Sequence, residues 1–415
     1  MYSLERFGIK PGLTRIKRLL SHFNSPQNSF PSIHITGTNG KGSTAAMLES
    51  VLRAAGLKTG LYTSPHLYNF SERIKISGQP IATANLVRYI KQVKQTLTTD
   101  YLLRTTTFFE FTTAIAFKYF ADQQVDLAII EVGMGGRLDA TNVIHPLLSI
   151  ITNIDHDHTN ILGSTRMAIA KEKAGIIKQG APLLTAEKDK RILSSLQKTC
   201  RSKKSALIRL NRKLQITPVR SDWHKQSFTV QGIINGNFTI PLLGHHQLDN
   251  AGLVLLAVNK LSRHYKIPMS AIKTGLAATR WEGRLEVISS RPFILVDGAH
   301  NPKSVEALAN FLTQIPRRDV LIIGLKKDKD AAYIIRLLAP LFSHIIVTEG
   351  EYQPMPADKL ARLFIRAGKE VTVIKDVRQA TKTGLKKINK TGGLVITGSL
   401  YMIPAALKYL KRNFQ

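Results

Sequence analysis

Four stretches of the chain carry side chains whose types and order suit the handling of phosphate. The first is Gly37-Thr38-Asn39-Gly40-Lys41-Gly42-Ser43, which follows an apolar run at 32–36 and opens a helical pattern at 43–55 that Gly56 stops. Glycines let a backbone approach phosphate closely, and free N–H groups at a helix start attract negative charge. Lys41 would meet the terminal phosphates, with Ser43 one turn into the site. The spacing is not GxxxxGK[ST], because Gly42 separates the Lys from the Ser. A Gly-rich turn alone is as often only a turn; the strand before it and the Lys and helix after it favour the phosphate reading. The second stretch is Glu131 at the end of an apolar run, ahead of Gly133-Met134-Gly135-Gly136-Arg137-Leu138-Asp139. A carboxylate at the C-terminal end of a parallel strand faces the ligand crevice. The third and fourth hold Ser64 in Tyr62-Thr63-Ser64-Pro65-His66 and His158 in Asn153-Ile154-Asp155-His156-Asp157-His158. One hydroxyl, one carboxylate and one imidazole can hold a hard divalent ion that bridges phosphates. Singly each is a weak signal, and Asp155 or Asp157 would serve equally well as the metal partner.

The elements that must position these groups follow from periodicity. Apolar runs predict strands at 32–36, 127–132, 148–154 and 182–185. Helical spacing predicts helices at 13–23, 84–97, 107–120 and 167–177, with a loop at 26–31. Alternating strands and helices argue for a mainly parallel α/β sheet. A hairpin is expected over 228–242, turning at Asn235-Gly236-Asn237, and a long helix over 247–265. After Trp281-Glu282-Gly283-Arg284-Leu285 the alternation restarts. It gives strands at 293–297, 320–324, 345–348, 371–374 and 394–397, with a helix at 304–314 and others between the later strands. The chain therefore reads as two α/β domains, 1–285 and 286–415. The second lacks GxGxxG, so a dinucleotide fingerprint is not supported.

Composition excludes several classes. A hydrophobic content of 43% supports a real core, and no apolar run approaches the length of a membrane span. The N-terminal residues show no signal-peptide pattern. The single cysteine, Cys200, rules out an intramolecular disulfide, makes a thiolate zinc site improbable and suits a reducing cytoplasm. The balance of 59 Lys+Arg against 28 Asp+Glu, a formal net charge of +31, is unusual. Basic residues are spread through the chain, with short clusters such as Arg201-Ser202-Lys203-Lys204 and Lys386-Lys387, and no nucleic-acid motif accompanies them. The plainest reading is a solvated basic surface whose affinity for nucleic acid is incidental and fades with salt.

Taken in order, the motifs HITGTNGKGS, YTSPHL, FFEFTTAIAF, EVGMGGRLDATN, DHTNILG, EKAGIIK, GHHQLDNA, WEGRLE, DGAHNP, DKD and ITGSLY, with the opening ERFG…PGL, resemble the folylpolyglutamate synthase/dihydrofolate synthase family of the Mur ligase superfamily. The resemblance implies an N-terminal phosphate-loop ATPase domain and a smaller, Rossmann-like glutamate-ligase domain. It also implies ATP-dependent ligation of L-glutamate to dihydropteroate and to reduced folates through an acyl phosphate. By the same resemblance Gly40, Lys41, Gly42, Ser43 and Asn250 bind ATP, as do Arg284 and Asp297, the last two reaching over the domain boundary. Ser64 and Glu131 hold a first magnesium and His158 a second. Lys173 matches a lysine that is carbamylated, and His300 serves near the glutamate. The pterin contacts Thr107, Phe108, Phe109 and Glu110, and also Leu138, Asp139 and Ala140. The chain departs from the family pattern at Asp155-His156, where small or apolar residues are usual, which adds two potential ligands. A cytoplasmic monomer with no membrane or specific nucleic-acid partner is expected. The alternatives are a cell-wall amino-acid ligase of the same superfamily and a basic nucleotide- or nucleic-acid-binding protein without ligase chemistry.

Overall fold

Ser32–Thr36 (β1) is buried at every residue, as a strand covered on both faces must be. It forms the middle of a sheet with β2 (Thr59–Tyr62), β3 (Ile74–Ile76), β4 (Gln79–Pro80), β5 (Leu127–Glu131), β6 (Leu148–Ile151), β7 (Leu183–Thr185) and β8 (Leu207–Arg209). The order is β4-β3-β2-β5-β1-β6-β7-β8. The strands from β2 to β8 pair in parallel, and β3 and β4 close one edge antiparallel. Ile35 lies opposite both Glu131 and Ile150, so the C-terminal ends of β1, β5 and β6 come level. The computed structural model describes Gly8 and residues 10–315 and 317–414. Glu5, Arg6 and Phe7 of the opening motif lie outside the described residues.

Packing divides the chain into two compact units. The first takes the residues to Thr217, with Phe228–Thr239 and Leu248–Thr279. The second takes Arg280 onward, with Pro218–Ser227 and Ile240–Gln247. A single cut at 285 was expected; the compact units separate at 279/280, and two earlier segments belong with the second core. β9 (Leu214–Ser221), β10 (Gln226–Gly232) and β11 (Gly236–Ile240) form a small sheet in the order β11-β10-β9. The hairpin expected at 228–242 is β10–β11, and β9 is the third strand that periodicity did not reveal.

The second unit is built on β12 (Glu286–Ser290), β13 (Phe293–Val296), β14 (Val320–Ile323), β15 (His344–Val347), β16 (Val371–Val373) and β17 (Gly393–Thr397). Their order is β12-β13-β17-β14-β15-β16, all parallel except β12. The last strand inserts between β13 and β14, so DGAHNP and ITGSLY leave neighbouring strand ends. Its core holds Leu295, Leu321, Ile345, Val395 and Phe364, all fully buried. Both units are therefore α/β with mainly parallel sheets, as the alternation predicted. Among the described residues no helix is long and apolar enough to cross a membrane.

Candidate active site

The loop at 37–40 leaves β1 and turns into the helix Lys41–Ala54 at Gly40, whose φ of 82° is left-handed. A Cβ there would lie 2.4 Å from Asn250 Oδ1, so only glycine lets the buried Asn250 press against the loop. The loop is clasped from its other side by the residues after β6. Thr38 N donates to Asn153 O (2.9 Å), Asn39 N to Asn153 Oδ1 (3.0 Å), and Asn153 Nδ2 back to Asn39 O (3.1 Å). Thr152 Oγ1 donates to Asn39 O (2.6 Å), and Asp155 N to Thr38 Oγ1 (2.9 Å). This clasp explains why β6 stops at Ile151 rather than running to 154: Thr152, Asn153 and Asp155 bond the loop instead of a neighbouring strand. Lys41 folds back over the loop and donates to Gly37 O (3.1 Å) and Thr38 O (3.3 Å).

Lys173 occupies the helix Arg166–Ala174 and is 3% exposed. It shares one cleft with Thr36, Gly37, Lys41, Asp157 and His158. Burial, and then the nearby charge of Lys41, push its ammonium down to about 7, against the pull of Asp157 and Asp139. The helix is drawn in by the segment after β5. A Cβ on Gly175 would meet Arg137 Cα at 2.3 Å, so the two segments touch backbone to backbone. Arg137 N donates to Glu172 O (2.8 Å), its guanidinium pairs with Glu172 (2.8 Å), and Asn142 Nδ2 bridges Arg137 O and Gly175 O.

The expected metal donors fall into two groups. Glu131, buried at the end of β5, accepts Ser64 N at 3.0 Å, so Ser64 and Glu131 are adjacent. His158, itself in the left-handed region, lies 3.9 Å from Asp157 and lines the cleft with Lys173. Among the described residues no three His, Cys, Asp or Glu side chains form a metal cage. Mixed hydroxyl, carboxylate and imidazole donors fit a hard cation that fills its coordination with phosphate oxygens and water. His156 is exposed, while Asp155 is tied by its backbone into the clasp.

The residues expected around a pterin have visible local duties. Thr107 caps the helix Phe108–Asp122 and Glu110 returns the bond, the carboxylate accepting Thr107 N at 2.8 Å while also pairing with Arg15 (3.1 Å). Phe108 lies beneath the Arg73 guanidinium (5.4 Å) and Phe109 beside Tyr62 (6.0 Å). Leu138 is half-buried, and Ala140 is buried in the turn that Asp139 caps. Burial raises the Asp139 carboxyl, and bonds from Thr141 N, Thr141 Oγ1 and Met134 N oppose that. His34 on β1 meets Thr141 Oγ1 at 2.8 Å, a buried link to this turn that the sequence did not disclose.

In the second unit Asp297 follows β13 and accepts Leu285 N and Ala299 N, each at 2.8 Å. Burial raises its carboxyl, opposed by those bonds and by the Arg284 guanidinium. Arg284 also donates to Gly283 O (3.1 Å). His300 Nδ1 meets Gly298 O (2.8 Å) and His300 N donates to Ser304 Oγ (3.0 Å), just before the helix Pro302–Leu312. Arg284, Asp297 and His300 are thus gathered at one end of β13.

Two family models match: the Mur ligase middle domain over residues 35–258 and the Mur ligase glutamate ligase domain over 283–400. The dihydrofolate synthase/folylpolyglutamate synthase of Bacillus subtilis is 35% identical over 98% of this chain and 96% of its own. The chain belongs to the folylpolyglutamate synthase/dihydrofolate synthase family. Folylpolyglutamate synthase of Lacticaseibacillus casei, another relative, is 35% identical over 95% of this chain and 94% of its own. The solved Mycobacterium tuberculosis folylpolyglutamate synthase, complexed with ADP and AMPPCP, superposes with a TM-score of 0.89 at 33% identity, covering 100% of this chain and 98% of that one. The chain is accordingly an ATP-dependent ligase of the Mur type. The middle-domain match includes the 37–40 loop, Ser64, Glu131, His158, Lys173 and Asn250. The glutamate-ligase match includes Arg284, Asp297 and His300.

Proposed function

We propose that this chain joins L-glutamate both to dihydropteroate and to reduced folates, whose glutamyl tails it extends, using ATP. The observation that carries the reading is Lys41 at the start of a helix capped by a left-handed glycine, in a cleft it shares with Lys173. The Lys41 ammonium and a row of backbone N–H groups select a polyanion such as a nucleotide triphosphate. A carboxylate oxygen of the acceptor attacks the γ-phosphorus and ADP departs, leaving an acyl phosphate. The glutamate amine then attacks the acyl carbon; inorganic phosphate leaves and the nitrogen loses its proton. Lys41 stabilises charge spreading over the moving phosphoryl oxygens. Gly40, Gly42, Ser43 and Asn250 seat the nucleotide. Arg284 and Asp297 are nucleotide-binding residues of the second unit, and His300 serves the glutamate. Thr107, Phe108, Phe109, Glu110, Leu138, Asp139 and Ala140 border the pterin. Ser64, Glu131 and His158 would hold magnesium, which supplies further positive charge to the phosphates.

The proposal includes a carbamate on Lys173. A lysine whose ammonium is pushed down to about 7 offers neutral amine at ordinary pH. The amine adds carbon dioxide and loses a proton, turning a cation that repels Lys41 into an anion that attracts it and offers oxygen to magnesium. Labelled bicarbonate should give a carbamate carbon-13 resonance in the wild type and none in Lys173→Ala. Acetate or propionate should restore part of that variant's activity. A fully active Lys173→Ala protein removes the carbamate from the reaction.

A substrate panel tests the whole reading. Phosphate release should require glutamate together with dihydropteroate or tetrahydrofolate. Release with a UDP-linked muropeptide instead would make the chain a cell-wall ligase. Activity on tetrahydrofolate alone would leave only the tail-extending reaction.

A further inference from the structure

The helix Arg166–Ala174 carries Lys173 near one end and an arginine with no part in the chemistry so far at the other. Lys173 lines the cleft together with Asp157 and His158, and Arg166 does not. Arg166 stands seven positions earlier, almost two full turns, so both side chains leave the same face of the helix. Ile169 and Ala170 occupy that face between them and are buried.

The guanidinium grips the backbone of Ile154. Its Nε and Nη2 both donate to Ile154 O, at 3.0 and 2.9 Å. Nη1 donates to Asp189 (3.0 Å), and Nη2 also reaches Glu187 Oε1 (3.3 Å). The other Glu187 oxygen accepts Ile154 N at 3.0 Å. Glu187 is buried, and its Oε1 accepts Lys188 N and Asp189 N as well, each at 2.9 Å. One ion pair therefore holds the peptide groups on both sides of Ile154. Those groups lie beyond the end of β6, where side chains must satisfy them in place of a neighbouring strand. Just before Ile154, Thr152 and Asn153 bond the phosphate loop; just after it, Asp155 N bonds Thr38 Oγ1. Asp157 and His158 follow on the same segment.

We propose that Arg166, together with Glu187, is a positioning residue for ATP. It holds the 152–158 segment, and through it the phosphate loop and His158, at a fixed height against Lys173 on its own helix. Arg166 touches no substrate. This rests on the reading that assigns ATP to the 37–40 loop. Two donors converge on one carbonyl oxygen while a third reaches Asp189, which suits a planar fork; an ammonium on a flexible stem has no such fork. The other end of the helix is held separately, by Arg137 N on Glu172 O and by the contact of Gly175 with Arg137. Loss of Arg166 therefore frees the clasp and leaves the support of residues 138–140 in place. ATP should feel the loss, and the folate and glutamate should not.

The test compares full-length wild type with R166M, R166K and E187Q, and with R318M as a control. Arg318 likewise ties backbone carbonyls, Leu312 O and Ile315 O, but just ahead of β14 in the second unit. Calorimetry gives the Kd for AMPPCP with magnesium, and steady-state kinetics give KM for ATP, tetrahydrofolate and glutamate. R166M should raise the Kd for AMPPCP and the KM for ATP about tenfold, as loss of charge-assisted bonds to one carbonyl would. KM for tetrahydrofolate and for glutamate should stay at wild-type values. R166K keeps the charge without the fork and should remain about fivefold weak for ATP, with E187Q weakened about threefold. R318M should match wild type throughout. If R166M does not fold, R166K and E187Q carry the same comparison. Wild-type AMPPCP affinity and ATP KM in both of these would overturn the proposal. Equal rises in KM for all three substrates, or the same loss in R318M, would also overturn it, because either reports general loosening. A wild type that binds AMPPCP yet ligates no folate, with the Arg166 variants binding AMPPCP more weakly, would sink the folate reading and uphold the role of Arg166.

Discussion

The two units place charged groups at the ends of parallel strands, yet they balance them differently. In the second unit Asp297 is buried opposite Arg284 and accepts two backbone N–H groups, so the charge is satisfied within that unit. In the first, Lys41 and Lys173 repel one another in a single cleft that Asp157 also lines. The second arrangement is complete as it stands. The first sets two amines against each other, a repulsion that an arriving anion, or the loss of the Lys173 charge, relieves.

The sharpest way to break this contrast is Lys41→Ala. Turnover, followed as phosphate release, should fall by about a thousandfold because charge stabilisation at the phosphoryl group is lost; circular dichroism should be unchanged. Near-normal turnover would deny the loop its phosphate role.

The imbalance at Lys173 should show in stability against pH. Its folded value of about 7 lies below the ordinary 10.5, so the unfolded chain holds the extra proton between those values. This group's contribution to stability is therefore lowest below pH 7 and rises with pH through that window by up to ~1.4 kcal/mol per unit. In carbon-dioxide-free buffer without nucleotide, Lys173→Met should melt above wild type at pH 6.5, and the gap should shrink by pH 9. A gap that does not change with pH would refute the account.

Asp297→Asn probes the balanced side. An amide cannot accept both Leu285 N and Ala299 N as a carboxylate does, and one buried donor left unmet costs ~1–3 kcal/mol. The melting temperature should drop more than for Glu131→Gln, whose carboxylate accepts Ser64 N. The reverse ranking would show that the charge of Asp297 is not what holds the turn.

The smallest expected effect belongs to Arg284→Lys. Lysine keeps the charge but loses the planar fork, so KM for ATP should rise about tenfold with little change in melting. Unchanged ATP kinetics would make Arg284 a partner of Asp297 and nothing more.

The sequence made β1, the glycine loop and the helix after it readable because apolar run, glycines and helical spacing agree there. It could not show that Lys173 is buried. Its neighbours Lys171 and Glu172 give the helix a surface look, and burial depends on the contact between Gly175 and Arg137, thirty-eight positions apart in chain numbering. Thr107 and Glu110 carry the T-x-x-E pattern of a capping box, a local duty written in the sequence beside any contact with a pterin. β2 escaped notice because Thr59–Tyr62 is four residues long and includes a glycine.

The two early segments that join the second core set a schedule for the chain as it leaves the ribosome. Trp223 rests against Phe293 (5.0 Å) and Phe311 (6.2 Å), and Leu243 lies in the same cluster. Both are synthesised about fifty to seventy residues ahead of Phe293, while the strands they need do not yet exist. Their apolar surface must wait in the open until β13 and the helix Pro302–Leu312 emerge. The same dependence warns against separating the glutamate-ligase domain by cutting at residue 280: the excised piece would leave Trp223 behind.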